Sequence, residues 1–392
     1  MKPIVHCLLV ALLVLLSGCR TREIPSGLQE KLDSISAAMV PQHAEAMCDI
    51  TMEMTDGKNI IVRGMTNLPE AKDAVRNMLG KTGYSFTDSI TVLPDTSIVK
   101  KTWGLVSVSV CNIRTEPSHA SEMATQALMG TPVRILSKHD RWFLIQTPDS
   151  YIGWVRGQVA ELSEEELTGW KNGERLIYMK HNGFITDAAG QAVSDIVFGV
   201  IIERTGEQGA LLSVRIPDGR EGFVNKSDFR NFRSWAESTE PDPEKLIEFA
   251  RLFLGTPYLW GGTSAKNIDC SGLTKTVYYS GGIIMTRDAS GQFRYGEEVS
   301  IEDPCETLIP GDLLFFGSER DGKAEITHTG MYTGNTEFIH SPATGFVRIN
   351  SLDSTRANYD EHLLQILRGA RRVSSYTEGI GIQRVIDNGW YF

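Results

Sequence analysis

The sequence predicts a multidomain chain in which a mixed α+β domain follows two small all-β modules and a short helical N-terminal region. Three observations predict it. Apolar residues recur at helical spacing near the start, at Leu28, Leu32, Ile35 and Met39. The middle of the chain breaks into short strand-like runs divided by turn residues. The last third sets helical runs before a series of strands that carry chemically capable side chains. At roughly 150 residues per domain, 392 residues correspond to two to four domains.

The formal charge of −10, from 39 Lys and Arg against 49 Asp and Glu, argues against a nucleic-acid partner, since phosphate backbones are held by basic surfaces. The start of the chain carries an address. Lys2 precedes the apolar run Ile4 to Leu16, too short for a membrane span of about 20 residues and suited to a secretory signal. Leu16-Ser17-Gly18-Cys19 follows and resembles a bacterial lipobox. That resemblance implies a signal peptide over 1–18 and lipid attachment at Cys19, giving an exported chain anchored to a membrane of the cell envelope. Several acyl chains make such an anchor firm where one would not. An ordinary signal peptide is the alternative. Six cysteines with no C-x-x-C pair are too few for a disulfide framework.

Residues 19–95 read as an N-terminal helical region, with Pro41 interrupting the first helix and Gly80 closing a second over Glu70 to Leu79. Residues 96–165 read as the first strand module, through Val106-Ser107-Val108-Ser109-Val110, Thr131 to Leu136, Trp142 to Ile145 and Tyr151 to Val155. Residues 166–238 read as a weaker copy, in which Gly222-Phe223-Val224 stands where the first has Gly153-Trp154-Val155. Pro217-Asp218-Gly219 supplies a hairpin turn there. The order Ile-Arg-x-x-Pro, Val-x-Ile-Leu, Trp-x-x-Ile, Gly-Trp-Val resembles a bacterial SH3-like barrel. Ser238-Thr239-Glu240-Pro241-Asp242-Pro243 is a linker.

In residues 239–373, Asp242 and Pro243 start a helix, and a loop Thr256-Pro257-Tyr258-Leu259-Trp260-Gly261-Gly262 follows it. Asp269-Cys270-Ser271-Gly272-Leu273 then places Cys270 in the first turn of a buried helix with Asp269 at its cap. Unpaired N–H groups and the helix dipole favour a thiolate there. A base is needed. Thr327-His328-Thr329-Gly330 and Phe338-Ile339-His340-Ser341 read as neighbouring antiparallel strands after Pro310-Gly311-Asp312, so His328 can take the thiol proton while His340 orients its ring. A three-ligand zinc site of Cys270, His328 and His340 is the competing reading.

These segments, with Arg287-Asp288-Ala289-Ser290-Gly291-Gln292, resemble the NlpC-type cell-wall cysteine peptidases over about Pro243 to Arg372. The resemblance implies a papain-like α+β fold and no cofactor. It also implies catalytic roles for Cys270, His328, His340 and Tyr258, the last beside the oxyanion with the Cys270 amide. With two SH3-like modules in front, the layout looks like the γ-D-glutamyl–diamino acid endopeptidases, or dipeptidyl-peptidase VI. Those act on peptidoglycan-derived peptides with a free N-terminal L-Ala. A cationic amine needs carboxylates, and Asp269, Glu122 and Tyr151 match that pocket, while Ser271, Trp260 and Ser290 match groups near the D-Glu carboxylate. Asp269 as a plain helix cap and Glu122 as a solvated charge remain open. A peptidase on intact N-blocked stems and an inactive wall-binding lipoprotein are the rival functions. The tail, 374–392, ends in Trp390-Tyr391-Phe392 and has no chemical reading.

Overall fold

The structure is a computed structural model that describes residues 24–40, 45–55, 58–373 and 381–392. Cys19 and the signal lie outside the described residues. The chain divides into two compact units, one ending at Val92 and the other holding 42–47 with 93–392.

In the first unit the helices Ser26–Met39 and Pro69–Gly80 form as expected, burying Leu28 and Leu32, and Ala71, Val75 and Leu79. The purely helical expectation is corrected. Strands Cys48–Met54, Asn59–Thr66 and Ser85–Val92 make a three-stranded sheet. The first pair is antiparallel, and the second is parallel across the helix Pro69–Gly80. The reason is visible in burial. Ile50, Met54, Ile60 and Val62 are buried from alternating positions, a two-residue period that the longer helical pattern masked.

The second unit opens with a seven-stranded sheet spanning Trp103 to Leu162. Its strands lie in the order seventh, first, fourth, fifth, sixth, second, third. Arg175 to Asn231 forms another seven-stranded sheet with the same order. The correspondence extends to packing. A Cβ on Gly153 would lie 2.5 Å from Cγ2 of Ile113, and one on Gly222 would lie 2.6 Å from Cγ2 of Ile185. Both glycines therefore let a strand close over an isoleucine of its neighbour. One detail differs from expectation. The alternation through Val106 and Val110 is not one strand, because Ser107 to Ser109 turn the chain between Trp103–Val106 and Val110–Arg114.

The tail is part of this unit. Trp390 meets Trp103 edge-on at 5.1 Å, and Phe392 stacks on Phe232 at 5.2 Å. The buried Arg175 guanidinium donates to the Tyr391 carbonyl at 2.7 Å and lies 4.4 Å from the Trp170 ring. The aromatic end thus closes a core between the second sheet and the last domain.

That domain carries a six-stranded sheet in the order Glu297–Val299, Leu367–Arg372, Leu313–Arg320, Lys323–Gly334, Glu337–His340, Arg348–Ser351. Helix Cys270–Ser280 packs on it through Leu273 and Val277, against Leu313, Phe315, Met331 and Ile339. Each such side chain contributes roughly 1.5–3 kcal/mol when fully buried. The first sheet is bonded to this domain. Thr263 donates its amide to Oε1 of Gln126 at 2.9 Å and its hydroxyl to the Gln126 carbonyl at 3.2 Å. Lys275 forms an ion pair with the buried Asp149. A cavity of about 80 Å³ remains between these parts, lined by Gln126, Gly199, Lys275, Tyr279 and Tyr391 among others.

Candidate active site

Cys270 is the first residue of helix Cys270–Ser280, and Asp269 is its cap, accepting the Gly272 amide at 2.7 Å. The helix can start this close to the preceding loop because residue 272 has no side chain. A Cβ there would lie 2.0 Å from the Gly262 carbonyl oxygen. Cys270 is buried, and the backbone amides of Thr329 and Ser271 bond to its sulfur. Thr329 follows His328, so the strand Lys323–Gly334 carries that histidine to the thiol's neighbourhood.

Gly330 pairs with His340 across the two strands. Nε2 of His328 lies 2.7 Å from Nδ1 of His340, and Nε2 of His340 lies 2.9 Å from Oδ1 of Asn350. Both nitrogens of His340 are thus engaged, which leaves none for a zinc ion. Among the described residues no group of three or more His, Cys, Asp or Glu is placed to hold a metal.

The electrostatics differ from the sequence expectation. Burial pushes the Cys270 thiol up to about 11, the Asp269 carboxylate adds to this, and the amides and Arg287 oppose it. Burial, with the charge that His340 carries when protonated and that of Arg348, pushes His328 down to about 3. Both shifts act toward the uncharged forms, thiol and imidazole. The helix terminus does not outweigh burial and the neighbouring carboxylate.

Asp269 is held by more partners than its helix cap alone. Besides the Gly272 amide, its oxygens accept from the Gly261 amide at 2.8 Å, from the Ser271 hydroxyl at 3.5 Å and from the Arg287 guanidinium. Arg287 also donates to Oγ of Ser271 and to Oγ1 of Thr125, each at 2.8 Å. Asp269 therefore ties the loop, the helix start and Arg287 together. Ser271 lies inside the same network and is buried.

The NlpC/P60 family model matches residues 255–368, and the model for the bacterial dipeptidyl-peptidase SH3 domain matches 113–158. A Bacillus cereus protein named gamma-D-glutamyl-L-lysine dipeptidyl-peptidase is 30% identical over 242 residues, which cover 57% of this chain and 69% of that one. This chain belongs to the NlpC/P60 family. Dipeptidyl-peptidase 6 of Lysinibacillus sphaericus is 26% identical, with 66% of this chain and 95% of that one covered. The crystal structure of an NlpC/P60 family protein from Bacillus cereus superimposes with a TM-score of 0.60 at 25% identity, over 69% of this chain and 99% of that one. The domain carrying Cys270 is thus an NlpC/P60 domain behind an SH3-like domain, and the protein is a cysteine peptidase.

The other expected residues of this NlpC/P60 peptidase differ in their surroundings. Tyr258 is fixed by its amide on the Gly345 carbonyl at 2.9 Å. Burial, then the charge Cys270 carries once ionised and that of Asp269, raise its phenol, which remains a donor. Trp260 is 60% exposed on the same loop. Tyr151 and Glu122 are loop residues that immediately precede the strands Ile152–Arg156 and Met123–Leu128 of the first SH3-like domain. Burial raises the Tyr151 hydroxyl, and the carboxylates of Asp288, Asp149 and Glu122 add to this against Arg287. Glu122 is exposed, and so is Ser290.

Sequence reasoning passed over Arg287, Asp288, Thr125 and Asn350. Arg287 and Asp288 stood in the quoted motif, where Ser290 drew attention instead. Burial raises Asp288, Arg287 opposes, and Asp269, Asp149 and Glu45 add to the rise. Glu45 accepts the Thr286 hydroxyl, and its carbonyl accepts Nε2 of Gln146 at 3.2 Å. Nothing local in the sequence marks Thr125, Glu45 or Asn350.

Proposed function

We propose that this NlpC/P60 peptidase hydrolyses the amide between γ-D-Glu and the following diamino acid in peptidoglycan stem peptides that carry a free N-terminal L-Ala. The observation that carries the reading is that the carboxylates of Asp288, Asp149 and Glu122, from the first SH3-like domain and the catalytic domain, all act electrostatically on the Tyr151 hydroxyl. A cationic N-terminus suits such a pocket, and an acetylated one does not. The names of the Bacillus relatives support the same bond.

In this reading Cys270 is the nucleophile. Its proton passes to His328 as the sulfur attacks the γ-carbonyl, so thiolate and imidazolium form together and neutralise each other. Tyr258 and the Cys270 amide donate to the oxyanion. The imidazolium then protonates the departing amine, leaving a thioester. Water, deprotonated by His328, hydrolyses it and releases L-Ala-γ-D-Glu. Asp269 joins Glu122 and Tyr151 around the amine while also holding the helix start, and Ser271, Trp260 and Ser290 line the side of the D-Glu carboxylate. The chain acts in the cell envelope, on the periplasmic side of a bacterial membrane or at the cell surface, held by lipid on Cys19.

Mass spectrometry of L-Ala-γ-D-Glu-diaminopimelate after incubation tests the bond. The expected product is the dipeptide, with no cleavage by Cys270→Ala. Equal cleavage of the N-acetylated peptide would favour action on intact stems. Wall binding without turnover would leave only an attachment role. Fatty-acid labelling lost on Cys19→Ser tests the anchor.

A further inference from the structure

We propose that Asn350 is a positioning residue for this reaction: it sets the tautomer of both histidines, so that Nδ1 of His328 is left bare as the base. The inference rests on the reading of Cys270 and His328 as the reacting pair.

Asn350 lies on strand Arg348–Ser351, which pairs with the strand of His340. Arg348 is the direct partner of His340, and Asn350 is two residues further, on the same face. The orientation of its amide is fixed twice. Nδ2 donates to the Asn358 carbonyl at 2.9 Å, and a carbonyl can only accept. Oδ1 accepts Nε of Arg348 at 3.0 Å, and a guanidinium can only donate. The oxygen therefore faces His340, and the hydrogen of their 2.9 Å bond belongs to Nε2 of His340.

The remainder follows by counting protons. Burial and the Arg348 charge lower His340 to about 4, although the Asn350 bond and the Asp360 charge act the other way, so the ring is neutral near pH 7. A neutral ring carrying its proton on Nε2 has a lone pair on Nδ1. The 2.7 Å contact is then a donation from Nε2–H of His328 to Nδ1 of His340. His328 is also neutral, so its own Nδ1 has no proton. When the Cys270 S–H bond breaks, the new N–H bond forms there, and the existing Nε2–H stays on His340. Without Asn350, His340 is free to take the other tautomer. Two N–H groups would then face each other unless His328 also turned its proton toward the thiol.

The test uses the full chain with 15N-labelled histidine, carrying Cys270→Ala for the spectra. Both His328 and His340 are expected as Nε2–H tautomers at pH 7. Adding Asn350→Leu is expected to convert His340 wholly or partly to the Nδ1–H form. In the chain with Cys270 intact, Asn350→Leu lowers kcat by about 10–100-fold, the usual cost of losing a partner that orients an imidazole, with KM little changed. Asn350→Asp keeps the acceptor, preserves both tautomers and shifts the acid limb of kcat/KM upward by about one pH unit or more, since a carboxylate favours the imidazolium. An Nδ1–H His340 in the chain with Asn350 intact would overturn the proposal. So would a folded Asn350→Leu with unchanged kcat and pH profile. Should Asn350→Leu fail to fold, an unmoved acid limb in Asn350→Asp overturns it equally. Turnover that survives Cys270→Ala would instead overturn the assignment of the nucleophile, which the spectra do not depend on.

Discussion

Arg287 and Asp269 form a buried ion pair at the root of the helix that presents Cys270, with side chains 2% and 7% exposed. Its worth is positional. A buried pair gains little over an apolar replacement, but losing one partner strands a charge. Arg287→Ala should therefore destabilise the second unit by about 3–5 kcal/mol. Arg287→Lys should restore little, because one ammonium cannot reach Asp269, Ser271 and Thr125 together. Denaturant unfolding of both variants, followed by tryptophan fluorescence, checks this.

The buried histidines make stability depend on acidity. His328 falls from 6.5 to about 3 in the folded state, so the native chain binds fewer protons there than the unfolded one. Its contribution is fully present above pH 6.5 and is lost as pH falls toward 3. Unfolding free energies measured from pH 7 to 4 should fall more steeply for the native chain than for His328→Gln. Equal slopes would refute the assignment.

The same shift governs catalysis. The base must be unprotonated, so the acid limb of kcat/KM should lie well below the ordinary histidine range. A limb near 6.5 would mean that His328 is not the base, or is not buried while it acts.

Glu122 is an exposed loop carboxylate of the first SH3-like domain that acts on Tyr151. A hydrogen bond to a charged group contributes about 1.5–3 kcal/mol, so Glu122→Gln should lower kcat/KM for free-amine peptides by about 10–100-fold. The loss should fall mainly on KM. Steady-state kinetics on free and N-acetylated peptides measure it, and an equal loss on both would remove Glu122 from the amine pocket.

The aromatic tail should be structural. Arg175 sits against Trp170, Phe232 and Phe392 while donating to the Tyr391 carbonyl. A desolvated cation–π contact is worth about 2 kcal/mol, so Phe392→Ala should lower the Tm measurably while leaving kcat unchanged. A drop in kcat without a drop in Tm would point to a role at the site instead.

Much of this architecture is written in short stretches of sequence. The cap at Asp269, the helix behind Cys270, the Gly-Trp-Val and Gly-Phe-Val correspondence and the two histidine strands are local patterns. They depend on caps, turns and periods that neighbouring residues express. The three strands near the start were lost to the stronger helical period of the two helices that they follow.

What no local pattern carries is the company each residue keeps. Asp269 meets Arg287 from 18 positions away, and Arg287 meets Thr125 across 162. Asn350 reaches His340 only because two strands pair in one register. Whether a carboxylate caps a helix or receives a substrate, and whether a buried thiol rests neutral or charged, depends on dielectric and on partners brought together by the folded chain. Residue order names the reacting groups, but packing sets their protons and charges.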